Sequence, residues 1–310
     1  MAQLLKLSDY VSRYEIDMYR YPSRYVRLKK ERWTRLKQDF DATRKGLDSL
    51  PLYHQYEEED SLFKKAINRF RKKKTEDNIP LPTNENLRHK TLDELKLSFK
   101  EELFQFQLNW ASSTVSEISP IKRAYEFDTL LQFLVKELPD TFFIMYEPVL
   151  YARKAPVEMD ILIISPTDIW LLVPLKGSKD AIFTIESDRY WTKQENGVVE
   201  KFLHPSIRLK RMRTVLEQIL EDVDHTLTIR QGIIAKDSFI DLPQASQRVQ
   251  LIDKRTIQRF RQTLLKNQSP IKNAQLKVSD KLLMHSMTVS QSRLQEEIGE
   301  DTVENEGDIR

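Results

Sequence analysis

The 310-residue chain contains no cysteine, which excludes a disulfide framework, a thiolate zinc site and a cysteine nucleophile, and suits a reducing compartment. It has only six glycines (Gly46, Gly177, Gly197, Gly232, Gly299 and Gly307), and no two lie close enough to write a Walker-type loop or a GxGxxG turn. Phosphate-cradling loops of those kinds are thereby excluded. The five histidines never form an HxxxH pair, which argues against a helix-borne zinc site, and no GxSxG elbow can be written. No window approaches the roughly 18 consecutive apolar residues of a membrane span. The opening MAQLLKLSDYVSRYE meets charge and serine before a signal-peptide core can form. A soluble, cytoplasmic protein with no membrane partner is expected, and no internal repeat is visible.

Charge of one sign is also scarce, the formal net charge being +3. The last twenty residues hold seven acids against two arginines, so the remainder carries about +8, a mild preference for anionic partners. Hydrophobic residues at 40% and charged residues at 31% permit a globular core beneath a charged surface, and this length accommodates two domains.

Apolar residues at Leu4, Leu7, Val11, Tyr14 and Met18 recur at helical spacing and predict a first helix, which Pro22 interrupts. Val26, Trp33, Leu36 and Phe40 mark a second. Residues 58–74 read as a third, ending in the basic run Arg71–Lys74, which suits a helix carboxyl end. The polar, proline-containing stretch 75–90 reads as a linker. Thr91 with Glu94 forms a capping-box pattern before the stripe Leu92, Leu95, Phe99, Leu103, Phe106 and Trp110, which reads as packing surface. These elements predict an all-helical domain over residues 1–115.

From 116 to 289 the character changes. One amphipathic helix carries Tyr125, Leu130, Leu131, Leu134 and Leu138 and ends at Pro139. Strands follow at 141–151, 159–165, 169–175, 181–185, 189–193 and 197–202, with spacings that suit antiparallel pairing. A helix over 205–223, with Pro205 in its first turn, separates these from strands at 227–235 and 248–253. Helices around 254–267 and 276–287 complete the domain, and residues 290–310 form an acidic tail expected to be disordered.

The chemistry-bearing residues cluster around VEMD (157–160) before the apolar ILIIS, and LLVPLKG (171–177) on the next strand. Residues two apart on a strand share a face, so Glu158 is expected beside Asp160, and Pro174 beside Lys176. Together with Glu126 on the leading helix, these residues give about 130 positions, from Tyr125 to Asp253, that resemble the nuclease-related domain (NERD) family, a branch of the PD-(D/E)xK nuclease-like fold. The resemblance implies an α/β (α+β) fold with a restriction-endonuclease-like mixed sheet flanked by helices. It further implies catalytic roles for Glu126, Glu158, Asp160 and Lys176, with Mg²⁺ held by Asp160 and Glu158 if the site is active and no cofactor otherwise.

Three departures accompany it. Pro174 stands where the family has a second acid or a glutamine, His204-Pro205 replaces an Asn-Pro turn, and KRAY (122–125) replaces small glycines. A proline supplies neither negative charge nor a side-chain oxygen, and it removes a ladder N–H, which points to an edge, bulge or strand end. Of the acids that could compensate (Glu158, Asp168, Asp180 and Glu126), strand geometry favours Glu158. The bland alternative is a structural Asp160–Lys176 ion pair.

RLKRMR (208–213) places Arg208, Lys210, Arg211 and Arg213 in the first half of a helix, where cations oppose the helix dipole. Phosphate binding and ordinary ion pairing explain this equally well. The expectation is a nuclease-related protein binding DNA or RNA, its metal-dependent hydrolysis weak or lost. A non-enzymatic module that meets a protein partner through its amino-terminal helices is the alternative.

Overall fold

The computed structural model describes residues 1–44, 91–241, 249–266 and 269–293. The helix expected at 58–74, the linker at 75–90 and the tail beyond Arg293 lie outside them. The chain divides into two compact units, residues 1–25 with 107–310, and residues 26–106.

The amino terminus is the first correction to the helical reading, because Gln3–Leu7 is a strand, β1. All five of its residues are buried. Leu4, Leu5 and Leu7 are covered on both faces, Gln3 donates to the Asp140 carbonyl at 2.7 Å, and Lys6 is held by Glu15 and by Thr288 at 2.8 Å. A 3-10 turn follows at Arg13–Glu15. The first 25 residues therefore belong with a sheet and not with a separate helical domain.

Helix α1, Tyr21–Arg44, takes Pro22 into its first turn, where a missing N–H breaks no bond, so the proline starts this helix. Helix α2, Leu92–Trp110, begins at the expected capping box. The Glu94 N–H donates to Thr91 Oγ1 at 3.2 Å and the Thr91 N–H to Glu94 Oε2 at 2.7 Å. Within residues 26–106, Leu36, Phe40 and Leu95 form a buried cluster against which Trp33 and Phe99 pack, their rings 5.2 Å apart.

In the larger unit β2 is Glu117–Ile118, and the single helix expected next is two: α3, Ala124–Phe127, and α4, Thr129–Glu137. Asp128 makes the break. Its Oδ1 accepts from the Leu130 and Leu131 N–H groups at 2.9 and 3.0 Å, capping α4, while Oδ2 accepts from the Tyr146 hydroxyl at 2.7 Å.

Strands β3 (Phe143–Tyr146), β4 (Val149–Ala152), β5 (Ala155–Glu158), β6 (Ile161–Ile164) and β7 (Asp168–Pro174) follow. Then come β8 (Ile182–Ile185), β9 (Tyr190–Glu195), β10 (Val198–Leu203), helix α5 (Ser206–Ile219), β11 (Thr228–Ala235), β12 (Phe239–Asp241) and β13 (Gln250–Asp253). Helices α6 (Ile257–Leu265) and α7 (Asn273–Met284) precede β14, Gln291–Ser292, which pairs with β2. The tail expected from residue 290 thus contains two strand residues.

The fold is a mixed α/β arrangement around a six-stranded sheet ordered β1-β3-β6-β7-β11-β13. β6 runs antiparallel to both β3 and β7, whereas β1 runs parallel to β3 and β11 parallel to both β7 and β13. All seven β7 residues are buried, as a central strand covered on both faces requires. A separate four-stranded sheet, β10-β9-β8-β12, and the β4–β5 hairpin complete the strands. Among the described residues no helix is long and apolar enough to cross a membrane.

Pro174 sits at the end of β7, as the sequence requires of it. The neighbouring Leu175 N–H donates to Ile234 on β11 at 2.8 Å, so the residue-174 position faces β6, whose pairing with β7 has already ended at Ile161–Leu172. No ladder bond is lost, which is how a central strand carries a proline.

Candidate active site

Sheet register gathers the candidate residues. Tyr146 pairs with Ile161 and Ile161 with Leu172, so the end of β3, the start of β6 and the end of β7 share one edge. Glu147, Asp160 and Lys176 are the polar residues that this edge collects. The Glu147 N–H donates to the Asp160 carbonyl at 2.6 Å. Lys176 Nζ donates to Glu147 Oε1 at 3.2 Å, and the Tyr125 hydroxyl to Glu147 Oε2 at 2.9 Å. Glu147 holds a left-handed backbone, φ 51°, a conformation that costs a non-glycine residue of order 1–3 kcal/mol and persists because its surroundings fix it.

Asp160 is 5% exposed and is paired through Oδ1 with Arg208 of α5. Its Oδ2 is buried and makes no hydrogen bond among the described residues. Burial lowers the Arg208 pKa, Arg211 pushes the same way, and Glu147 opposes both. Burial raises the Tyr125 pKa and Glu147 raises it further, while burial and then Asp128 raise that of Tyr146, so both hydroxyls remain protonated donors to their carboxylates.

Several expectations about individual residues need correction. Glu158 is not on the strand of Asp160: it ends β5, opposite Val149, its side chain is exposed, and buried Met159 separates the two elements. Its carboxylate makes no hydrogen bond or ion pair among the described residues, although its carbonyl accepts from Arg211 Nη2 at 3.3 Å. Glu126 lies on short α3, its carbonyl accepting from Gln132 at 2.6 Å while its carboxylate is likewise unpaired among the described residues. The Asp160–Lys176 ion pair is replaced by Asp160–Arg208 and Lys176–Glu147. Asp168 is paired with Arg230 at the far end of β7, seven residues long and thus about 20 Å at 3.3 Å per residue.

The basic helix is partly committed to local partners. Besides Arg208 and Arg211, Arg213 pairs with Glu217 at 2.7 Å, whereas Lys210 is exposed and has no ion pair among the described residues.

Beside this cluster lies a concavity of about 300 Å³, bordered among others by Phe127, Asp128, Tyr146, Pro174, Lys176 and Lys236. Sequence reasoning passed over Asp128, Glu147, Tyr125, Tyr146 and Lys236. The available signal was Tyr146-Glu147, which closes the apolar FFIM run just as Asp160 opens the next.

A Mg²⁺ site needs oxygen ligands in near-octahedral array, of which carboxylates supply one or two. The orphaned Asp160 Oδ2 would suit such an ion, but Arg208 shares that carboxylate, Lys176 holds Glu147, and Pro174 offers no side-chain oxygen. Among the described residues no group of three or more His, Cys, Asp or Glu could hold a metal. As arranged, the donor set does not fit the ion.

No family model matches the chain, and no solved structure matches it. An RNA 2',3'-cyclic phosphodiesterase of Geobacillus stearothermophilus is 36% identical over 115 residues, a match covering 34% of this chain and 36% of that protein. The chain therefore spans about a third of the length of that relative.

Proposed function

We propose that the chain is a nuclease-related, NERD-like protein that binds nucleic acid and whose metal-dependent phosphodiester hydrolysis is weak or lost. The order α4, β3, β6, β7, α5, β11, with three antiparallel strands and a helical crossover to a parallel fourth, supports a restriction-endonuclease-like core. Asp160 and Lys176 at adjoining strand ends support the same reading.

The observation that carries the loss of hydrolysis is the charge pairing. Arg208 neutralises Asp160 and Lys176 neutralises Glu147, so protein cations stand against the carboxylates that a metal would need. Binding is supported by Lys210, which has no ion pair among the described residues, and by Arg211, whose partner is an uncharged carbonyl. Both leave positive charge for phosphate. RNA is the first ligand to test, since the Geobacillus relative is an RNA 2',3'-cyclic phosphodiesterase.

The test incubates purified protein with labelled single- and double-stranded RNA and DNA in Mg²⁺, Mn²⁺ or chelator. Salt-sensitive binding without metal-dependent cleavage is expected; rapid cleavage would overturn the loss of hydrolysis, and no binding at low salt would overturn the nucleic-acid reading. Pro174→Glu restores the missing acid beside Lys176. Its melting temperature should rise with Mn²⁺ or Mg²⁺, since a ligand at a hundredfold excess over its Kd stabilises by about 2.7 kcal/mol. Adding Asp160→Asn should abolish that rise.

A further inference from the structure

From the concavity at the end of β7 we infer a binding site for one unstacked nucleotide of a single-stranded nucleic acid, with Phe127 as the stacking surface and Lys176 and Lys236 as the phosphate contacts. This rests on the nucleic-acid reading above and narrows its substrate to single strands.

Phe127 is 63% exposed, and it borders the concavity. An exposed aromatic alone is ordinary. Here the break at Asp128 sets Phe127 apart from the buried face of α4, and Arg123 lies against its ring, 5.6 Å from the centroid. An exposed aromatic ring offers a face on which any base can stack, and a guanidinium plane beside it stacks in the same way.

Two cations, Lys176 and Lys236, and two acids, Asp128 and Asp237, border the concavity, and the ammoniums supply the phosphate contacts. Lys176, 75% exposed in its side chain, and Lys236 both border the concavity, with Glu147 and Asp237 as their respective partners. Each ammonium has three donors, and the salt bridge described here engages one of them, which leaves donors for phosphate oxygens. Asp237 also accepts from Thr129 at 2.8 Å, which holds it at the start of α4.

The volume of about 300 Å³ lies at the lower end of ligand-sized pockets, which suits a single unit of a strand. A duplex presents only base edges in its grooves, so it offers Phe127 no ring face. Lys176 belongs both to this pocket and to the Glu147–Asp160 cluster, so a strand seated here lies beside the candidate active site.

Fluorescence anisotropy with a short labelled single-stranded RNA, its DNA counterpart and the RNA duplex tests the assignment. The intact protein should bind either single strand more tightly than the duplex. Phe127→Ala and Phe127→Leu should weaken single-strand binding about 5- to 150-fold, the range for loss of one stacked base, while Phe127→Trp retains it. Lys236→Ala should weaken it and reduce its salt dependence. Phe127 is exposed, so the variants should keep the parent melting temperature; should the smaller side chains unfold, Lys236→Ala carries the test, and its unchanged affinity and salt dependence would overturn the pocket. Single-strand affinity unchanged in Phe127→Ala, or an equal fall for duplex, overturns the pocket while leaving nucleic-acid binding intact. An intact protein that binds none of the three probes overturns both.

Discussion

Asp160 combines three properties that rarely coexist: it is ionisable, almost fully buried, and satisfied on only one of its two oxygens. Removing one partner of a fully buried ion pair costs about 3–5 kcal/mol, because the remaining charge is stranded. Arg208 is 48% exposed, so water relieves part of that penalty, and Arg208→Ala should destabilise by about 1–3 kcal/mol. Adding Asp160→Asn should recover most of the loss, since no charge is then left behind. Urea midpoints check this, and equal midpoints for the single and double variants would show that the pair has no weight. At this scale the sequence exposed Asp160 and Lys176 through their spacing around two apolar runs. It hid Glu147 and Asp128, because no local pattern tells which strand end will adjoin which. Only the register of β3 against β6 brings Glu147 to Asp160, and only the helix break turns Asp128 into a cap.

Helix α5 shows how an element absorbs a departure from a family pattern. His204 precedes Pro205 where the resemblance leads one to expect asparagine, and its Nδ1 accepts from the Ser206 N–H at 3.1 Å, as an asparagine oxygen would. The ring also packs edge-on against Trp191, with centroids 5.2 Å apart. Burial lowers the His204 pKa, Lys210 adds to this and Asp188 opposes it, so folding favours the neutral ring that can accept the bond. The sign follows: this contribution is fully present above the unfolded value of about 6.5 and is lost as pH falls from there through the lower folded value. His204→Asn should keep this bond and reduce the loss of melting temperature between pH 7.5 and 5, whereas His204→Ala, which loses it, should cost about 1 kcal/mol at neutral pH. Identical pH profiles in the parent and His204→Asn would remove His204 as the titrating group.

Other elements differ in how plainly they were written. β6, β7 and the Gly232–Ala235 end of β11 are compact apolar runs, and short buried strands read that way whatever surrounds them. β1 was misread because Leu4, Leu7, Val11, Tyr14 and Met18 are indeed all buried, but on a strand, a 3-10 turn and the loops between them. A helical period can arise from burial by several neighbours as well as from one helix face.

For the molecule as a whole, charge is distributed along the chain more informatively than the net value of +3 suggests. Deleting everything from Leu294 onward removes seven acids and one arginine, a gain of six positive charges. It leaves the β14–β2 pairing and the bond from the Arg293 N–H to the Ser116 carbonyl, 3.1 Å, in place. The truncated protein should therefore melt as the parent does. A deletion beginning at Gln291 removes those contacts as well and should melt lower.

The same truncation tests whether the whole-molecule field matters for binding. Charges farther apart than a Debye length, about 10 Å at 0.1 M salt, hardly sense one another, so loss of the tail acids should strengthen binding to single-stranded RNA at low salt and have little effect at high salt. Anisotropy titrations of parent and truncated protein at two ionic strengths measure this. An affinity gain of equal size at both would point to a tail that blocks the site by contact, and no gain at either would mean that its acids lie too far from the bound strand to be felt.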